Sequence, residues 1–233
     1  VLPHLGYLYI GTGQPQKARE LYQELLSRTP PFKLDADAVL WLVRNLLESG
    51  DYEAMRKTLE MLPSRFPGTD FSHEIHFFSG ESAMGLKDYK KALEEYSEAI
   101  KLKPKGTFAG SAHLGSGIAQ LMLQDRAGAE VSFKEALSFD QEPNVALRAR
   151  FEMANLLLAQ GNLADAAKGF MLVAILYEDS KYAPSALYKA GECFRKINRA
   201  EEAQKAFAEL RQRFPASEWA QKAKVFTEEA NKK

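Results

Sequence analysis

The chain repeats one short pattern of small and large apolar residues along its whole length. A small residue stands four positions before an aromatic residue or leucine, first at Ala18 and Tyr22 and last at Ala203 and Phe207. The intervening pairs, each 37 residues from the next, are Met55/Leu59, Ala92/Tyr96, Ala129/Phe133 and Ala166/Phe170. A separation of four places both residues on one face of a helix. Equal steps of this length predict an array of similar supersecondary units.

Each period contains signals for two helices joined by a tight turn. The predicted turns, also 37 residues apart, start at Gly13, Gly50, Lys87, Gln124, Gly161 and Asn198. Glycine and asparagine tolerate the left-handed conformation that ends many helices. Proline then terminates several second helices, at Pro30, Pro67, Pro104 and Pro215. A mostly small column at Gly6, Gly80, Gly117, Ala154 and Gly191 lets the two helices of a unit approach closely.

These columns resemble the tetratricopeptide repeat family, whose motif has a small residue in the first helix, alanine and an aromatic residue in the second, and then proline. The resemblance implies an all-α, right-handed superhelical solenoid of about six helical hairpins. The family's common period is 34 residues. The period of 37 implies a longer link or helix in each unit.

The columns divide the chain into one predicted solenoid over residues 1–233. The expected units are residues 1–35, 36–72, 73–109, 110–146, 147–183 and 184–216. Ser217 and the stripe Trp219, Ala220, Ala223 and Phe226 predict a capping helix over 217–230 that covers the last unit. Because the chain opens within a repeat, we expect it to be a fragment of a longer protein.

Composition excludes some classes of function. The 31 basic and 31 acidic residues balance, which argues against nucleic acid as the main partner. No apolar run is long enough to predict a membrane span. A single cysteine, Cys193, excludes an internal disulfide and leaves the compartment open.

The patterns that resemble chemical sites all have structural explanations. His73 and His76 are three residues apart and lack the spacing of a zinc protease helix. Gly11-Thr12-Gly13 resembles a phosphate loop, but no predicted strand precedes it and Gly13 belongs to a predicted turn. Cys193 falls on an apolar helix face. Glu94, Glu95 and Glu98 are interpreted as a solvated outer face. We therefore expect no catalysis, no cofactor and no metal.

The resemblance implies that the first helices line a concave groove that binds another protein or a peptide segment. The predicted groove residues are Tyr7, Leu40, Trp41, Arg44, Phe77, Phe78, Glu81, Leu114, Ile118, Phe151, Asn155, Tyr188 and Glu192. Aromatic residues and arginine are common anchors of such contacts. The apolar residues of this set have an alternative role, which is packing between adjacent first helices instead of binding a partner.

The segment from Tyr177 to Phe226 also resembles repeats of bacterial envelope proteins of the Tol–Pal coordinator and outer-membrane assembly lipoprotein types. The shared residues are Phe214, Pro215, Ser217 and Ala220. This resemblance favours the periplasm or cell envelope over the cytoplasm. The leading hypothesis is a non-enzymatic interaction scaffold in envelope assembly. The alternatives are an accessory domain of a larger enzyme, secretion or transport protein, and a self-assembling homo-oligomer.

Overall fold

The repeating pattern folds into helices throughout the part of the chain that the structure describes. The computed structural model describes residues 2–28, 34–65, 72–139, 142–178 and 181–230, without the side chains of residues 2–3, 225 and 227–230. Within these ranges there is no strand, and thirteen helices follow one another. They are α1 (Leu2–Gly11), α2 (Pro15–Ser27), α3 (Ala36–Glu48), α4 (Tyr52–Arg65), α5 (Ser72–Gly85), α6 (Tyr89–Leu102), α7 (Ala109–Met122), α8 (Arg126–Ala136), α9 (Pro143–Ala159), α10 (Leu163–Leu176), α11 (Ala183–Lys196), α12 (Ala200–Arg213) and α13 (Glu218–Ala230). The predicted all-α class is confirmed.

The helices form two compact units. Unit 1 spans residues 1–124 and contains α1 to α7, and unit 2 spans residues 125–233 and contains α8 to α13. In unit 1, each helix from α1 to α6 packs against the next, and α7 packs against both α6 and α5. In unit 2, each helix from α8 to α12 packs against the next, and α13 lies against α11 and α12. Stability in such an array comes from contacts between neighbouring helices.

Every predicted turn has a residue in the left-handed conformation. Glycine occupies this position at Gly13, Gly50 and Gly161, where φ is 71°, 72° and 81°. Other residues adopt it at Lys87 and Gln124, both with φ 64°, and at Asn198, with φ 60°. The geometry is therefore set by the position in the repeat and not by glycine alone. The predicted turns are confirmed.

Small residues of the first helices are in contact with aromatic rings of the second helices. A Cβ added at Gly6 would lie 2.3 Å from the Tyr22 ring, and one added at Gly191 would lie 2.5 Å from the Phe207 ring. Real Cβ atoms do not approach other atoms this closely, so the glycine is needed for the fit. Tyr22 and Phe207 are almost fully buried. The repeated aromatic residue thus fills the space that the small residue leaves.

The predicted capping helix is present as α13. Ser217 Oγ accepts a hydrogen bond from the Ala220 backbone N–H at 3.1 Å, which satisfies one of the free donors at the helix start. The Trp219 ring lies 5.3 Å from that of Tyr188, and the Phe226 ring stacks on Phe207 at 5.2 Å. The apolar stripe therefore covers α11 and α12, as expected.

Proline inside a helix usually kinks or ends it, and Pro63 lies inside α4, the second helix of the second repeat. The helix α4 continues past it to Arg65. Pro63 lies in the last turn, where the loss of one backbone donor removes only one hydrogen bond. Pro63 therefore does not end α4.

Candidate partner-binding surfaces on the first helices

The predicted groove residues of unit 1 differ strongly in exposure. Phe77, Phe78 and Leu114 are only 6, 2 and 5% exposed. The partly exposed ones are Leu40, Trp41, Glu81 and Ile118, and the exposed ones are Tyr7 and Arg44. The buried three stabilise the helix packing and present little surface to a partner. Direct contact between a partner and the predicted groove residues of this unit therefore depends on the six exposed or partly exposed residues.

The buried aromatic residues of unit 1 form one cluster with Phe108, which was not among the predicted residues. Phe108 stacks on Phe77 at 4.5 Å between ring centroids and meets Phe78 edge-on at 5.3 Å. It directly precedes α7. The cluster joins the start of one repeat to the first helix of the preceding one.

A repeated column could have revealed Phe108. Residues at this position of the repeat, 37 apart, are Leu34, Phe71, Phe108, Val145, Tyr182 and Trp219. Tyr182 lies 5.0 Å from Phe151, and Trp219 lies 5.3 Å from Tyr188. In each case, as with Phe108 and Phe77, the residue packs on the aromatic side chain 31 positions earlier. In these three places, a side chain at or next to the start of α7, α11 or α13 packs on the first helix of the preceding hairpin.

Two tyrosines fix carboxylates near the first helices of unit 1. Tyr96 Oη donates a hydrogen bond to Glu81 Oε1 at 2.6 Å. Tyr7 Oη donates to Asp35 Oδ1, also at 2.6 Å, and the same oxygen accepts from the Ala38 N–H at the start of α3. Burial raises the pKa of Tyr7, and Asp35 raises it further. The Tyr7 phenol therefore remains a neutral donor that orients the Asp35 carboxylate.

Arg44 differs from these residues because it has no ion pair with any side chain in the described ranges. It is exposed on α3, next to the partly exposed indole of Trp41. Trp41 packs edge-on against Tyr22 at 5.8 Å, which holds the indole in place. A free guanidinium beside a fixed indole offers a charged and an apolar contact to a ligand.

The first helices of unit 2 carry a row of hydrogen-bonded polar side chains. Lys189 Nζ on α11 donates to Asn155 Oδ1 on α9 at 2.6 Å. Asn155 Nδ2 in turn donates to Glu152 Oε2 at 3.1 Å. All three side chains are partly exposed. The row therefore links two first helices while part of each polar group still meets solvent.

Aromatic rings support this row from below. Lys189 Nζ lies 4.8 Å from the centroid of the Phe151 ring and 5.4 Å from that of Phe170. Burial lowers the pKa of Lys189, although Glu152 opposes the shift. Phe151 is 8% exposed and belongs to the packing beneath the surface.

Tyr188 and Glu192 lie one helical turn apart on α11. The Tyr188 ring is within 6.3 Å of Phe207, Trp219 and Phe226. Burial raises the pKa of Tyr188, and Glu192 raises it further. The predicted groove residues of unit 2 therefore lie on two helices that are linked by the Lys189–Asn155 hydrogen bond. They are Phe151 and Asn155 on α9, and Tyr188 and Glu192 on α11.

The structure corrects the interpretation of Glu95. Its side chain is only 13% exposed, whereas that of Glu94 is 70% exposed. Glu95 pairs with Lys91 Nζ at 2.8 Å and with His76 Nδ1 at 2.7 Å. Burial alone would raise its pKa, but these two hydrogen bonds outweigh burial and lower it. Glu95 therefore ties α6 to α5 and is not part of a solvated face.

The remaining candidates for chemistry occupy packed positions. His73 is buried, and its Nδ1 lies 2.6 Å from Glu74 Oε2 without hydrogen-bonding geometry. In the described ranges, no three His, Cys, Asp or Glu side chains are grouped to hold a metal ion. Cys193 is buried as expected, and burial raises the pKa of its thiol.

None of the described helices is both long enough and apolar enough to cross a membrane. The surfaces defined above instead offer noncovalent contacts: free and paired charges, amide groups and aromatic edges. Stacked helical repeats use extended surfaces to bind other proteins.

The class of protein is thus a helical repeat scaffold. Three models of the tetratricopeptide repeat match residues 9–72, 73–105 and 185–217. The chain belongs to the tetratricopeptide repeat family. Proteins of this family mediate protein–protein interactions.

Solved structures with the same fold cover most of the chain. PilW, described as a widely conserved type IV pilus biogenesis factor, superposes with a TM-score of 0.72 at 20% identity, over 94% of each chain. PilF of Pseudomonas aeruginosa superposes with a TM-score of 0.65 at 18% identity, over 96% of this chain and 95% of its own. YrrB, described as having an unusual peptide-binding site, gives 0.59 at 18% identity, over 82% and 92%. No curated protein sequence matches the chain.

Proposed function

We propose that this chain is a non-enzymatic scaffold that binds a segment of another protein on the surface of its first helices. The observation that carries the proposal is the row Glu152, Asn155 and Lys189 on α9 and α11. These polar groups are partly desolvated, already oriented, and supported by aromatic packing. Such preorganisation reduces the conformational entropy that these side chains lose when a partner binds.

Unit 1 supports the same function with different groups. Arg44 and Trp41 on α3 offer one free charge and one fixed aromatic edge. Glu81 on α5 is oriented by Tyr96. Extended and helical peptides are both recognised through such combinations of apolar anchors and oriented polar groups. The exposed residues of the predicted groove are therefore the proposed contacts, and the buried ones their support.

We test this surface with a photoreactive amino acid placed at single positions of the full chain in its native host. Arg44 and Glu192 are the proposed contact sites. Lys57 and Lys205, exposed on the second helices α4 and α12, are matched controls. We expect one discrete covalent adduct from each first-helix position and none from the controls. Equal labelling at all four positions would reject the surface.

The purified partner segment then allows a direct measurement. Asn155→Ala removes both hydrogen bonds of the row, and we expect about tenfold weaker binding by calorimetry. Lys205→Ala, on the outer face of α12, is the control and should bind as the original chain does. Unchanged affinity of a folded Asn155→Ala variant would exclude the row from the contact.

We further propose that the partner belongs to bacterial cell-envelope assembly. The fold shared with PilW, a pilus biogenesis factor by its description, supports this role. The peptide-binding site described for YrrB supports a segment as ligand. Mass spectrometry of the photo-adducts should identify an envelope protein. An adduct made only with a cytosolic protein would reject the envelope role and leave the binding surface in place.

A further inference from the structure

Helix α10, the second helix of its repeat, departs from the polar pattern that the second helices of the other repeats follow. At the repeat position of Leu172, the other units carry mostly glutamate: Glu24, Met61, Glu98, Glu135 and Glu209. At the position of Ile175 they carry Ser27, Ser64, Lys101, Ser138 and Gln212. Only α10 is apolar at both positions, so the apolar pair is not a requirement of the repeat.

These apolar side chains face outward in the folded chain. Leu172, Ile175 and Leu176 are 40, 56 and 52% exposed. Their spacing of three and four residues places them on one face of α10. A contiguous outward apolar group, unlike single exposed apolar residues, is often a contact surface for another protein. We call these three residues the α10 stripe.

Charges of opposite sign flank the α10 stripe. Lys168 lies one turn before Leu172, and Glu178 follows Leu176 by two residues; both are exposed. Lys168 is 3.1 Å from Asp165, but this pair is 69 and 65% exposed. An exposed pair contributes little and exchanges readily for another partner. A lysine that can exchange its partner thus stands at the N-terminal end of the stripe, and the Glu178 carboxylate stands at the C-terminal end, where Arg213 bonds the Glu178 backbone carbonyl and not the carboxylate.

We propose that the α10 stripe is covered by the α10 stripe of a second copy of this chain, in antiparallel orientation. An antiparallel two-fold pairing places Leu172 opposite Ile175 of the partner subunit. It also brings Lys168 next to Glu178 of the partner subunit, twice, once at each end. A parallel pairing would place like charges together. The surface is therefore self-complementary, as a closed two-fold interface requires.

The size of the stripe sets the expected strength. Stable interfaces bury about 800 Å² on each partner. Three half-exposed side chains supply only part of this area. We therefore expect a reversible dimer with a dissociation constant on the order of 100 µM, which a high local concentration would populate.

Sedimentation velocity of the full chain between about 10 µM and 1 mM tests the proposal. We expect a concentration-dependent shift from monomer to dimer. Leu172→Glu and Ile175→Glu, each of which introduces a charge into the stripe, should keep the chain monomeric. Leu102→Glu is the control, because Leu102 is 46% exposed on α6 and occupies the repeat position of Leu176. Circular dichroism verifies that all variants remain folded.

Charge reversal separates this pairing from general stickiness. Lys168→Glu and Glu178→Lys should each weaken the dimer by about threefold to tenfold. The double variant should recover the original affinity within about twofold, because both cross-pairs are restored with reversed sign. Generic apolar association would show no recovery.

Three results would overturn the proposal. One is a chain that stays monomeric at every concentration. The second is a double charge variant that is no tighter than the single ones. The third is a Leu172→Glu variant that still dimerises but loses binding to a different protein, which would assign another occupant to the stripe. None of these results bears on the first-helix surface, so the two proposals fail independently.

Discussion

Gly80 on α5 lies directly against the ring of Tyr96 on α6. A Cβ at position 80 would stand 2.6 Å from two carbons of that ring. Tyr96 is 1% exposed and cannot move into solvent without opening the hairpin. The same tyrosine also meets Gly115 on α7, where an added Cβ would lie 2.5 Å from the ring. One side chain thus requires two glycines from neighbouring repeats.

Gly80→Ala should therefore lower the free energy of unfolding by about 1–3 kcal/mol, the usual effect of overpacking a core. The midpoint of urea unfolding measures the change. Gly11→Ala is the matched control, since nothing lies within 4 Å of a Cβ there. It should leave stability unchanged or raise it by about 0.5 kcal/mol through helix propensity. Equal midpoints for the two variants would contradict the close packing.

Lys87 has a φ of 64° in the turn between α5 and α6. A side chain in this conformation costs about 1 kcal/mol relative to glycine. Lys87→Gly should therefore stabilise the chain by about that amount in urea unfolding. Gly50→Ala, at φ 72° in the equivalent turn, should destabilise it similarly. Effects of the same sign for both substitutions would disprove a conformational origin.

Glu95 should make the stability of the chain sensitive to acid. Its pKa is lowered in the folded chain, so its contribution to stability is fully present above pH 4.5, the ordinary pKa of glutamate. The contribution is lost as the pH falls from there through the lowered pKa, when Lys91 and His76 lose their charged acceptor. Glu95→Gln should remove about 1–2 kcal/mol at neutral pH and less below pH 4.

Glu94→Gln provides the control for this measurement, because Glu94 is 70% exposed on the same helix. Its urea midpoint should follow that of the original chain between about pH 3 and pH 7. If Glu95→Gln and the original chain lose stability in parallel over this range, Glu95 does not contribute as described.

Cys193 should react only when the chain opens. The residue is 1% exposed, and burial raises the pKa of its thiol. The thiolate is the reactive form of cysteine. We therefore expect a disulfide reagent at pH 8 to label the folded chain about a hundredfold more slowly than the chain unfolded in urea. An exposed thiol introduced by Ile175→Cys serves as the reactive control. Comparable rates for the two thiols in the folded chain would contradict the burial of Cys193.

Several structural features were predictable because residues at the same position of each repeat adopt the same local structure. Equal spacing identified the left-handed turn at Lys87 even though lysine has no preference for that conformation. It also paired small residues with aromatic ones, as in Gly191 and Phe207. Equal spacing also relates Phe108 and Tyr182, which occupy one repeat position. Each packs on an aromatic residue in the first helix of the preceding hairpin.

The role of individual polar residues was not predictable in this way. Glu94 and Glu95 are neighbours of one type, yet one is exposed and the other ties two helices together. Asn155 belongs to a variable column, and its contact with Lys189 depends on where two helices approach. Which of the predicted groove residues meets a partner stays a prediction.

The sequence by itself determined the helical class, the period, the turns and the small-to-aromatic pairing. All of these follow from local conformation and from residues that recur at one spacing. Only the tertiary structure decided which side chains are buried and which remain available, as with Phe77 and Arg44. It also decided that Leu172 and Ile175 face outward. Exposure depends on contacts between helices distant in sequence, and no local pattern specifies those contacts.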